Sequence, residues 1–105
     1  MSIKTVYRVE MRESALRDLA GLRDYLRTVM SREGSHCCVE NMRNEVMSLA
    51  VFADLYRPSP IADIRQYHPK ARRMVSHNKR WVYIFHVEDC LVIVDRIRPA
   101  KNIAK

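Results

Sequence analysis

Four histidines and a crowd of arginines supply the side chains able to move protons or hold anions. His86 is the best placed. In RWVYIFHV (80–87), strand alternation puts Arg80, Val82, Ile84 and His86 on one face and Trp81, Tyr83, Phe85 and Val87 on the other. The aromatic face is the natural partner for helices, so the expected open face shows Arg80 and His86 with Val82 and Ile84 between them. An imidazole titrates near neutrality and can both take and return a proton. Arg73 and His77, on the weaker strand pattern ARRMVSH (71–77), can share that face and complete a catalytic trio. The commoner role of a lone histidine is a plain surface position on a strand, and that reading stands beside the catalytic one.

Other chemistry is poorly represented. Cys37 and Cys38 are adjacent and Cys90 is distant, so no metal-ligand spacing is present. A site recruiting His36 to those thiols has no spacing to support it, and no metal is expected. His68 sits beside Pro69, again outside any ligand pattern. Two isolated glycines cannot form a phosphate-cradling loop, and no cofactor is expected.

Cationic side chains are unevenly placed. Residues 1–64 carry nine basic and nine acidic groups; residues 65–105 carry ten basic and three acidic, so the whole +7 excess lies in the last 41 residues. Such a field favours an acidic partner. Arg72, Arg73, Arg80, Arg96, Arg98 and Lys101 are the candidate binding residues. The bland alternative is a set of snorkelling side chains that keep sheet edges apart. Arg96 suits that alternative least, because it lies mid-strand between Asp95 and Ile97. Alternation points Asp95 to the opposite face, so the partner of Arg96 must come from elsewhere.

The elements that position these groups follow from periodicity. IKTVYRV (3–9) alternates as a half-buried strand. From Ser14 the period becomes helical, with Ala15, Leu19, Leu22, Leu26 and Val29 on one stripe, widened by Leu16, Tyr25 and Met30. Gly34 is expected to end this helix and Ser35 to cap the next, in which Val39, Met42, Val46, Leu49 and Ala53 recur. So short a connection makes the pair an antiparallel hairpin. Pro58 and Pro60 stop the helical pattern. Strands are expected over 61–68, 71–77, 80–87 and 91–97, with Glu88-Asp89 turning the last two. The expected fold is α+β: an N-terminal strand, a helical hairpin, then a three- to four-stranded, mainly antiparallel sheet, as one domain over 1–105. No apolar run approaches a membrane span, and MSIKTVYRVEMRE loses its apolar character too soon for a signal peptide, so a cytoplasmic protein is expected.

In that order, the opening strand with ALRDLAGLRDYL, the second helix ending in LAVFADLYRPSP, and RWVYIFHVEDCLVIVDRIRPAK resemble the RelE/ParE superfamily of toxins from type II toxin–antitoxin modules. The matching pieces span nearly the whole chain. The long hairpin followed by a Pro-containing segment is more similar to the ParE branch, which implies inhibition of DNA gyrase by protein–protein contact. It also implies a cognate antitoxin whose acidic C-terminal segment folds on binding. RelE-like members are instead messenger RNA endoribonucleases acting on the ribosome, and a third alternative is a RelE/ParE-fold binding protein without toxicity. The resemblance places a RelE-type catalytic arginine at the position of Val82 and an aromatic or histidine near the C-terminus. Here the strand has valine, and IRPAKNIAK has neither aromatic nor histidine. Both departures favour the non-enzymatic branch.

Overall fold

The structure is a computed structural model and describes residues 6–102. Its elements are β1 (Arg8–Met11), α1 (Glu13–Val29), α2 (Arg32–Phe52), α3 (Ala62–Arg65), β2 (Arg72–Val75), β3 (Trp81–Glu88) and β4 (Leu91–Pro99), with single 3-10 turns at Ala53–Leu55 and Ala100–Asn102. Among the described residues the strands form one sheet in the order β1-β4-β3-β2. Its β1/β4 pair is parallel and the other two pairs are antiparallel. The expected α+β architecture is therefore present. Residues 3–5 of the expected first strand lie outside the described residues; the strand that forms starts at Arg8 and continues past Val9 to Met11.

The hairpin is tighter than the glycine suggests. α1 ends at Val29 and α2 begins at Arg32, with Ser31 as its N-cap. Ser31 Oγ accepts the Gly34 amide at 2.9 Å, which satisfies one of the orphan donors of the first turn. Gly34 thus lies inside α2 rather than ending α1. A Cβ there would stand 3.1 Å from Ser31 Oγ and 3.4 Å from Met30 Sδ, so the missing side chain makes room for the cap.

Both helices pack on one face of the sheet. Ala15 and Leu19 of α1 join Val39, Met42, Val46 and Leu49 of α2 over Tyr83, Phe85, Val92, Val94 and Ile97. This is the aromatic face of β3, as the alternation predicts. Leu16, Tyr25 and Met30, expected to widen the α1 stripe, are exposed.

The opposite face is not open. Ile64 and Ala71 cover Val82 and Ile84 in a second apolar cluster, with Ile61, Tyr67 and Ala100 at its margin. The covering segment corrects the strand expected over 61–68: Ala62–Arg65 is one helical turn. A strand would have aimed Ile61, Asp63, Arg65 and Tyr67 to one side, mixing charges into the core. The helical turn instead brings Ile61 and Ile64, three residues apart, onto the sheet.

A β-bulge shapes β4. Ile84 pairs with Arg96 but Phe85 pairs with Val94, which leaves Asp95 as the extra residue. Val94 and Ile97 both pack under the helices, so strict alternation cannot hold between them: Asp95 reaches His86 while Arg96 pairs with Ile84, and the two do not take opposite faces as alternation expects. Beyond Val94 the outer edge of β4 has no strand partner among the described residues, and the start of α1 closes it. Arg12 N donates to Val94 O at 2.9 Å, Ser14 Oγ donates to Asp95 O at 2.7 Å, and Ile97 N donates to Asp18 Oδ2 at 3.0 Å. No helix among the described residues is long and apolar enough to cross a membrane.

Candidate functional site

The C-terminal half of β4, the start of β3 and the outward side of α1 enclose a cleft of about 550 Å³. Leu22, Tyr25, Trp81 and Pro99 give it apolar walls, and Arg98 and Lys101 stand at its rim. A second hollow of about 350 Å³ continues from it along Tyr25, Trp81 and Pro99, bringing in Lys79 and Arg80. Tyr25 is 60% exposed, an unusual place for a large aromatic on a helix. An apolar trough flanked by Lys79, Arg80, Arg98 and Lys101 suits a partner that brings apolar side chains together with carboxylates. Lys79 is held at φ 64°, in the left-handed region, where the turn before β3 swings Arg80 toward the hollow.

Arg96 lines the same cleft but is engaged by the protein itself. Its Nε and Nη2 lie 2.7 and 3.1 Å from the two oxygens of Asp18, a bidentate pair. The bond to Asp18 holds the guanidinium in its charged form even more firmly than usual, against a smaller opposing effect of burial. Asp18 is the partner that the sequence required but did not identify. Arg98 differs: its Nε is buried without a hydrogen-bond partner among the described residues.

The remaining predicted residues scatter. Arg72 is turned toward the helices, donating from Nη1 to Ala53 O at 3.0 Å with Asp54 Oδ1 at 3.7 Å, so it clamps the end of α2. Arg73 borders a separate depression of Tyr56, Arg57, Pro58 and Ile61. His77 is exposed in the turn after β2, where its amide donates to Glu45 Oε2 at 2.8 Å. Because Val75 pairs with Val82, His77 lies beyond the start of β3, whereas His86 lies near the opposite end. At about 3.3 Å per residue the separation along the strand is on the order of 20 Å. Arg73, His77 and His86 therefore do not converge on one substrate.

His86 is also not the surface residue of either reading. It is fully buried, with Nδ1 2.7 Å from Asp95 Oδ2 and Nε2 3.2 Å from Glu88 Oε1. Arg12 Nε approaches the other Asp95 oxygen at 3.1 Å, without hydrogen-bond alignment. On the helix side, Tyr83 donates to Glu45 Oε1 at 3.2 Å, and burial, reinforced by the Glu45 charge, pushes its phenol well above the ordinary tyrosine range. Sequence reasoning missed Tyr25 and Trp81 as cleft walls, having assigned both to the core. The signal for Tyr25 was its offset from the Leu22–Leu26 line of buried positions.

No protein-family model and no curated protein sequence matches the chain. Among solved structures it is similar to a chain of one described as the chromosomal ParDE TA system from P. aeruginosa. The TM-score is 0.74 at 18% identity, covering 90% of this chain and 96% of that one. An overlap of that extent shows a shared fold, and the chain has the ParE-like fold.

Proposed function

We propose that the protein is the toxin of a type II toxin–antitoxin module, of the ParE type, and that it inhibits DNA gyrase by protein–protein contact. The fold supports the class of protein. The observation that carries the choice of branch is Val82. It is buried under Ile64 and Ala71, so the strand position where a RelE-like nuclease is expected to show a cation is filled and roofed by apolar side chains. Phosphodiester cleavage needs a proton acceptor, a proton donor and cations around one phosphate. The candidates for those roles are separated along β3 or sealed inside it.

The cleft beside α1 is the proposed seat of the antitoxin. An acidic segment carrying apolar residues would lay them between Tyr25, Trp81 and Pro99 and place its carboxylates by Arg80, Arg98 and Lys101. A double charge reversal, Arg98→Glu with Lys101→Glu, is expected to slow association with the antitoxin tenfold or more at low salt, and to change dissociation less. Unchanged association kinetics would place the antitoxin elsewhere.

Induction in a bacterial host distinguishes the branches. The ParE-type reading predicts filamentous cells with a DNA-damage response and intact translation. Arrested translation with cut transcripts would establish the nuclease instead. His86→Ala is a poor discriminator, since removing a fully buried imidazole opens a void and takes the hydrogen-bond partner from Asp95 Oδ2, so it tests folding rather than chemistry.

A further inference from the structure

Away from the cleft, side chains from three parts of the chain meet near the end of β3: His86 and Glu88 on that strand, Asp95 at the bulge of β4, and His68 in the turn after α3. A carboxylate can only accept, so the 2.7 Å contact with Asp95 Oδ2 puts a proton on His86 Nδ1. Neutral His86 then presents a bare lone pair at Nε2, and 3.2 Å away stands Glu88 Oε1, which also has only lone pairs. Two acceptors at that separation need positive charge between them, either a second proton on His86 or a cation. His68 is the third member. Its ring stacks on His86 at 4.0 Å with 2° between the planes, and its Nε2 is 4.0 Å from the same Glu88 oxygen. His68 Nε2, His86 Nε2 and a Glu88 oxygen all lie within 4.8 Å of one another.

We propose that His68, His86 and Glu88 bind one divalent transition-metal ion of the class that takes imidazole and carboxylate ligands, such as Zn²⁺. Two imidazoles and one carboxylate are a familiar donor set for that ion and leave its fourth position to water. Asp95 supplies the outer support such ligands use. It fixes the ring of His86 and the tautomer that frees Nε2, and it is itself steadied by Arg12 at 3.1 Å. The site is independent of gyrase or antitoxin binding.

Binding demands one local movement. His68 Nδ1 accepts the Lys70 amide at 3.0 Å, so the neutral ring keeps its proton on Nε2. Ligation shifts that proton to Nδ1 and gives up the amide bond. Parallel rings also direct their lone pairs side by side rather than to one point, so the His68 ring must turn. It is the ring able to do so: its side chain is partly exposed on a turn, while His86 is locked in the sheet. A bound ion would clip this turn to the end of β3 and close one side of the Ile64–Ala71–Val82–Ile84 cluster. No local pattern announces the pair, because the two histidines stand eighteen positions apart in the chain.

The test uses the full chain with Cys37→Ser, Cys38→Ser and Cys90→Ser, which removes three exposed or half-exposed thiols that would also bind zinc. After chelator treatment, Zn²⁺ is titrated by calorimetry and the melting midpoint is followed. The expected results are one ion per chain and a midpoint raised by several degrees at about a hundredfold excess over Kd. Glu88→Gln and His68→Gln, both at partly exposed side chains, should still melt cooperatively but bind about tenfold or more weakly. No binding, or binding unchanged in both variants, would overturn the site and leave a second proton on His86 as the charge facing Glu88.

Discussion

Asp18 shows how a single side chain can settle several obligations at once. It neutralises Arg96 and takes the Ile97 amide on an edge that no strand among the described residues covers. Asp18→Ala should lower the urea midpoint by the equivalent of about 1–3 kcal/mol with an unchanged m-value, because it strands a backbone donor as well as a cation. A loss below about 0.5 kcal/mol would class the contact with ordinary surface pairs. Tyr83 carries a pH prediction. Its phenol is held neutral by burial and by Glu45, so its folded pKa is raised above the unfolded value. The stability this confers is complete below the unfolded pKa of about 10 and declines as pH rises through the folded value. Tyr83→Phe should therefore flatten the alkaline loss of stability relative to wild type; identical alkaline profiles would contradict the assignment. At this scale the sequence was partly legible. It singled out Arg96 as needing a partner and His86 as chemically notable, but a partner 78 residues away and a covering segment read as a strand were beyond local pattern.

The hairpin and the central strands were the most legible elements, because their apolar periods are long and agree with the core they build. The failures share a cause: short segments with few residues over which a period can declare itself. Residues 61–68 hold only Ile61, Ile64 and Tyr67 as large apolar markers, and spacing by three was outweighed by the neighbouring strands. Asp95 was misdirected for a related reason, since a bulge inverts alternation without any glycine or proline to announce it. Three substitutions test the helices. Gly21 is exposed, and a Cβ there would meet nothing within 4 Å, so Gly21→Ala should stabilise by about 0.5–1 kcal/mol. Ser31→Ala should cost about 1 kcal/mol through loss of the α2 cap, whereas Ser35→Ala, at the position the sequence favoured, would act by removing the bond its buried hydroxyl donates to Arg32 O. Thermal or urea unfolding of the three variants checks both statements.

Over the whole molecule, charge and shape divide the labour. The neutral first part builds the hairpin, and the basic last part supplies most of the sheet and the rim of the cleft. The concentration of charge was fully legible in the sequence; its focus beside Tyr25 and Trp81 was not, because the cleft exists only once α1 lies along the edge of β4. Ile64 and Ala71 roof Val82, and His86 is buried in the same strand, so the face a RelE-type nuclease would use is covered; this supports the proposed role in binding. A supercoiling assay with purified gyrase, relaxed plasmid and ATP tests that claim most directly. Addition of the protein is predicted to stop supercoiling in a dose-dependent way, with full activity restored by the antitoxin and messenger RNA on translating ribosomes left intact. Undiminished supercoiling at saturating protein, with cleavage of ribosome-bound message, would contradict it.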